Sequence, residues 1–155
     1  MKFNYYKTRD EEEIAELTEE ELREHDKKIY KPSLLVCLRH KTRFSRKCFG
    51  LIDTGADMVT AGYKFAYDLG LDPLSGKEDS IQGAWGIIPQ YICEDIEVVI
   101  IKDAGLRTLS FETRIAFCEA VGDRILLGRE GFFDNFKIVI DERRREVELI
   151  RPKSW

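Results

Sequence analysis

Leu51-Ile52-Asp53-Thr54-Gly55-Ala56-Asp57 decides how the rest of this chain is read. An apolar run ends abruptly in a carboxylate, a hydroxyl and a glycine. Burial raises the free energy of an ionised Asp, so a carboxylate at the end of a buried strand needs compensation. Gly55 allows the backbone to turn sharply and bring amide donors to Asp53, and Thr54 supplies a hydroxyl that can lock the loop. Three letters are a short motif, however. Taken alone, an ordinary Asx turn after a strand explains them at least as well.

The flanking sequence sets this turn in a β-rich context. Leu34–Leu38 reads as a buried strand, Arg39–Lys47 as a polar tip with five cations, and Cys48–Ile52 as the returning strand of a hairpin. Tyr63–Leu69 has helical character and is closed by Gly70. Ile92–Ile101 and Leu106–Phe117 are expected to pair through a turn at Asp103-Ala104-Gly105. Gly128–Asp134 is expected to form a helical turn. Phe136–Ile140 and Glu146–Ile150 read as strands joined by the charged turn Asp141–Arg145. Many short strands with little helix indicate a mostly-β domain, assigned here to residues 31–155.

Residues 1–30 have a different texture and are assigned to an N-terminal charged helical arm. Residues 9–28 carry ten acidic and four basic side chains, acids first and Lys27-Lys28 last, an order that suits the helix macrodipole. Thr18 and Glu21 have capping-box spacing. The arm reads as a solvated charged helix, with a regulatory or dimer-contacting role as the alternative. The basic tip at 39–47 is expected to be a solvated face or a dock for this arm.

Composition narrows the function classes. The chain has 155 residues, 25 Lys+Arg against 29 Asp+Glu, and a formal charge of −4, a balance that argues against a dedicated nucleic-acid binder. Nine Phe, six Tyr and two Trp supply a core and argue against disorder. No apolar run suits a signal peptide or a membrane span. Cys37, Cys48, Cys93 and Cys118 include no C-x-x-C pair and are expected as free thiols. His25 and His40 do not stand at ligand spacing to a cysteine, so no metal and no cofactor are expected. A cytoplasmic protein is the simplest inference, with no nucleic-acid or membrane partner.

Three segments taken in order carry a resemblance. They are Asp53-Thr54-Gly55-Ala56, then Ile81-Gln82-Gly83-Ala84-Trp85-Gly86, then Leu126-Leu127-Gly128 followed by Arg129. Together they resemble the retropepsin-like aspartic proteases, the single-domain family that includes the retroviral proteases, and the run from Leu126 to Phe136 looks especially like the prokaryotic members. The resemblance spans roughly residues 33–150. It implies a retropepsin-like closed β-barrel with a short C-terminal helix, and a flap hairpin carrying Gly83, Trp85 and Gly86. Asp53 becomes the catalytic carboxylate, in a loop shaped by Thr54, Gly55 and Ala56.

The chemistry of that family needs two carboxylates sharing one proton, because two close like charges cannot both ionise. This chain holds one Asp-Thr-Gly, and Asp103-Ala104-Gly105 lacks the hydroxyl. The expected enzyme is therefore a homodimeric aspartic peptidase acting on a peptide or protein substrate, with Asp53 of each chain meeting at the two-fold axis. Thr54 is expected to hydrogen-bond across that axis. Asp57 and Arg129 match a family pair, with either a substrate-contacting role or a role in pinning the C-terminal helix under the loop. Ala56 cannot donate a hydrogen bond to the carboxylate, so a less acidic working range is expected. Met58, Val59, Ile87 and Leu126 are the apolar pocket candidates. The rival reading is a catalytically inactive dimerisation or peptide-binding module on the same fold.

Overall fold

The computed structural model describes residues 1–7, 19, 30–83, 86–102, 105 and 107–152. Most of the expected arm, including Thr18, Glu21 and His25, lies outside the described residues, as do Ala84 and Trp85 of the flap tip and Asp103-Ala104 of the expected turn.

The strands are β1 (Lys2–Asn4), β2 (Tyr6–Lys7), β3 (Tyr30–Lys31), β4 (Ser33–His40), β5 (Arg43–Phe44), β6 (Cys48–Ile52), β7 (Thr60–Ala61), β8 (Lys77–Gly83), β9 (Gly86–Lys102), β10 (Arg107–Phe117), β11 (Ile125–Leu127), β12 (Lys137–Asp141) and β13 (Glu146–Ile150). Among the described residues, short helices α1 (Tyr63–Asp68) and α2 (Phe132–Asn135) join them. Eight strands form one sheet in the order β5-β4-β6-β11-β7-β10-β9-β8, and β4 also pairs with β9. Hydrogen-bonded pairs thus lead from β4 through β6, β11, β7, β10 and β9 back to β4. A second sheet has the order β1-β13-β12, and β2 pairs with β3.

Period-two alternation builds the core. Leu34, Val36 and Leu38 of β4 are fully buried, as are Ile96, Val98 and Ile100 of β9. Their register interlocks, with Val36 opposite Ile100 and Leu38 opposite Val98. Phe111, Phe132 and Phe136 pack ring against ring, 5.7–6.2 Å between centroids, and seat α2 on β10.

The expected β4–β6 hairpin forms, with Ser33 opposite Leu51. Its basic tip is solvent-exposed, with two of its cations paired within the chain. Arg39 pairs with Glu97. Arg46 grips Asp68 of α1 with Nε at 2.7 Å and Nη2 at 2.8 Å. That fork holds the Asp68 carboxyl down at about 2. The helix α1 ends as expected, with the Gly70 and Leu71 amides reaching back to the Tyr67 and Ala66 carbonyls.

Two assignments from sequence need correction. Residues 1–7 are not part of a helical arm. Lys2–Asn4 pairs with β13, and Phe3 and Tyr5 are buried in the core cluster. A three-residue strand with one inward aromatic carries almost no periodic signal, and its partner lies at the other end of the chain. The turn at 128–134 is also displaced. Arg129 and Glu130 are tied to the 53–58 loop, Glu130 bridging Met58, and α2 begins only at Phe132. The Asp134 carboxylate accepts the Gly131 amide at 3.3 Å, which marks the helix start.

All four cysteines are unpaired. Burial pushes the Cys48 thiol up to about 12 and raises Cys37 and Cys93, so these thiols hold their protons. No helix among the described residues is long and apolar enough to cross a membrane.

Candidate active site

The Asp53 loop leaves the end of β6 and is clamped along its length. Strands β6 and β11 run parallel, with Ile52 beside Leu127. The Asp53 amide donates to the Leu127 carbonyl at 3.2 Å. The Arg129 amide donates to the Ala56 carbonyl at 2.9 Å, the Glu130 amide to that of Asp57 at 2.8 Å, and the Val59 amide to that of Glu130 at 3.2 Å. Backbone ladders of this kind hold a loop as firmly as a strand.

Gly128 is the reason the two segments can lie so close. A Cβ there would sit 2.2 Å from the Met58 carbonyl oxygen and 2.8 Å from that of Ala56. Both obstacles are backbone, so neither can swing away. The hydrophobic-hydrophobic-glycine triplet therefore has a local meaning: Leu127 is buried, Leu126 is half-buried, and Gly128 admits the Asp53 loop.

Within the loop, the Gly55 amide donates to Asp53 Oδ1 at 2.8 Å. Gly55 has an ordinary φ, so its value here lies in space. A Cβ would stand 3.1 Å from that same oxygen. Asp53 is half-exposed, and Thr54 and Asp57 are exposed. Ala56 has no hydroxyl to donate to the carboxylate. Among the described residues, the Gly55 amide is the only group that donates to the Asp53 carboxylate. The Thr54 hydroxyl makes no hydrogen bond among them.

Arg129 and Asp57 form the expected ion pair. Their side chains are 63% and 74% exposed, which assigns most of the clamping to the backbone beneath them. A second, unforeseen pair supports this segment from the other side. Arg114 of β10 forks onto Glu130, with Nη2 to Oε2 at 3.0 Å. The Arg114 hydrogen bonds hold the Glu130 carboxyl below its ordinary value. Arg114 stands opposite a bulge in β9, where Thr113 pairs with Ile96 and Ile115 with Cys93, and Asp95 takes φ 58°. Bulges re-aim side chains, and no local sequence signal gives this one away.

The flap hairpin is made of β8 and the start of β9, with Gln82 opposite Ile87 and Gly83 opposite Gly86. Gly86 takes φ 123°, a conformation that L side chains avoid. A Cβ on Gly83 would meet Ile88 and Gly86 of the same hairpin. Ile87 is 75% exposed on it. At its base, buried Gln90 donates to Asp79 at 2.8 Å. Of the expected pocket residues, Met58 and Val59 are instead core residues, at 6% and 0% exposure. They follow the loop into its clamp and turn inward.

Among the described residues no group of His, Cys, Asp and Glu is arranged to hold a metal ion. The chemistry on offer is that of a lone, half-exposed carboxylate on a rigid loop.

Comparison with known proteins gives the fold. No family model and no curated protein matches the chain. Among solved structures, a retropepsin-like aspartic protease from Rickettsia conorii superposes with a TM-score of 0.50 at 17% identity, covering 76% of this chain and 89% of that one. The EIAV protease in complex with the inhibitor HBY-793 gives 0.42 at 20% identity, covering 64% and 82%. The chain has a retropepsin-like fold, mostly β with short helices.

Proposed function

We propose that this protein is an aspartic endopeptidase whose active site assembles from two copies of the chain. The observation that carries this reading is Asp53 itself. It stands at the mouth of a parallel strand pair in a retropepsin-like fold, oriented by the Gly55 amide on a loop bolted to Leu127–Glu130.

One carboxylate cannot serve as both acid and base in the same step. Two Asp53 side chains brought together share a proton, and the pair titrates as a unit. The ionised member takes a proton from a water held between them. The hydroxide attacks the peptide carbonyl carbon, and the protonated member gives its proton to the carbonyl oxygen. The tetrahedral diol then collapses. One hydroxyl proton returns to the dyad, the amide nitrogen is protonated, and the C–N bond breaks to leave an acid and an amine. The exposed Thr54 hydroxyl is free to bond the partner loop, and the Asp57–Arg129 pair stands at the rim of the assembled site. The flap, with Ile87 outward, closes over the peptide and excludes water. Ala56 leaves the carboxylate without a hydroxyl donor, so the pH–rate maximum is expected well above about pH 3.

The test is cleavage of a mixed peptide library by the wild type and by Asp53→Asn, with dimerisation measured in both. Cleavage lost in the variant while its dimer persists supports the reading. Equal cleavage by both removes Asp53 from the chemistry. A dimer that never cleaves leaves the fold as a binding module.

A further inference from the structure

We propose that the cavity between β10, α2 and the end of β13 is a binding site for a small zwitterion of the α-amino acid class. None of the residues that line it belongs to the Asp53 loop or the flap. The proposal therefore stands apart from the reading of Asp53 above.

The cavity holds about 270 Å³ and is walled by three segments far apart in the chain. Ser110, Phe111 and Glu112 come from β10, Asp134 and Asn135 from α2, and Arg151 follows directly on β13. The Phe111 ring packs on Phe132 at 6.2 Å and on Phe136 at 5.8 Å, which fixes the spacing of the walls formed by β10 and α2. Drug-sized ligands usually occupy about 300–1,000 Å³, so this smaller space suits a molecule the size of one amino acid.

The charges select the ligand. Arg151 donates through Nη2 to the Ser110 carbonyl at 2.6 Å, and its guanidinium carbon lies 5.7 Å from the centre of the Phe136 ring. These contacts anchor the guanidinium and leave it further N–H donors. None of the ion pairs among the described residues joins Arg151 to Glu112 or Asp134. Opposite charges thus line one cavity without contact, although their attraction favours it. One Asp134 oxygen accepts the Gly131 amide, and the Asn135 amide nitrogen donates to the Gly131 carbonyl. The second Asp134 oxygen, the Asn135 amide oxygen and the Glu112 carboxylate remain, and all are acceptors. An ammonium brings three donors to such a set, and a carboxylate matches the fork of a guanidinium. A ligand with both groups on one carbon answers both signs of charge. A lone cation would leave the guanidinium without a partner, and a lone anion would meet two carboxylates. Phe111 and Pro152 add apolar surface, which favours an aliphatic side chain.

Titration of the full chain with L-leucine, read by the backbone amide NMR signals of Ser110, Glu112 and Asn135, tests the site. Leucine should move these signals. Leucinamide, without the carboxylate, and N-acetyl-leucine, without the ammonium, should each bind about tenfold or more weakly, the contribution of one charge-assisted hydrogen bond. Arg151→Gln should weaken leucine by a similar factor and leave leucinamide unchanged. Glu112→Gln should weaken leucine and leave N-acetyl-leucine unchanged. A merely structural role for either residue would move leucine and its derivatives alike. Glu112 is exposed, so its variant carries the test if Arg151→Gln fails to fold. The proposal is overturned if leucine leaves these signals unmoved up to about 10 mM. It is overturned equally if leucinamide binds as tightly as leucine, or if both variants bind leucine as the wild type does.

Discussion

The Asp53 loop and the hairpin of β8 and β9 are held in contrary ways. The loop is tied by four backbone hydrogen bonds to Leu127–Glu130, with Gly128 letting the strands touch and the Arg114–Glu130 fork bracing the far side. Among the described residues, the flap is held by its own β8–β9 ladder and the Gln90–Asp79 hydrogen bond. It lies at the edge of the large sheet, and Lys77, Glu78, Asp79, Ser80 and Gln82 of β8 are exposed. Buried, cross-tied backbone opens rarely, whereas an edge hairpin with few buried contacts opens readily. On the proposed function, the fold keeps the acid–base group in fixed geometry and leaves opening to the segment that admits a peptide.

Substitutions that exchange these properties should produce graded effects. The largest belongs to Asp53→Asn, expected to lower kcat by about 10²–10⁴-fold with little change in melting temperature, as read by peptide cleavage and thermal denaturation. Gly128→Ala should act on the fold first. Its methyl meets two backbone carbonyls, so a loss of about 2–4 kcal/mol is expected by urea denaturation, with activity falling in step. Gly86→Val should do the reverse. Placing a β-branched residue at φ 123° costs about 1–3 kcal/mol, confined to the hairpin, and should raise KM several-fold while global stability changes little.

The Arg114–Glu130 brace adds a pH dependence. Glu130 in the folded chain has its carboxyl below the ordinary 4.5 because Arg114 hydrogen-bonds it. The unfolded chain therefore binds the proton more readily, and the stabilisation is fully present above about pH 4.5 and lost as pH falls through the lower folded value. Glu130→Gln should melt earlier than wild type at neutral pH, and the difference should vanish in acid. The smallest effect is expected for Asp57→Ala. An ion pair this exposed contributes about 0–1 kcal/mol to the fold, so any larger loss should appear in dimer affinity or cleavage.

The same contrast explains what could be read from the residues beforehand. Elements with local signals were legible: the alternation of Leu34, Val36 and Leu38, the β4–β6 hairpin, the end of α1 at Gly70, and the paired strands β12 and β13. The candidate site was legible as three short segments in order, because each has a geometric duty that few residue types satisfy. Contacts between distant segments were not. Nothing near Lys2–Asn4 announces a partner at Glu146–Glu148, and nothing near Arg114 announces Glu130. Met58 and Val59 looked like pocket residues because they follow the Asp53 turn. Only the clamp to Glu130 shows that the chain has already turned into the core.

The claim on which all of this depends is that two Asp53 carboxylates share one proton. A crystal structure of the assembled protein measures it directly, through the distance between the two carboxylate groups. The account predicts hydrogen-bond contact at about 3 Å, or one water bridging both. A separation of about 10 Å or more, beyond the reach of a single bridging water, would contradict it.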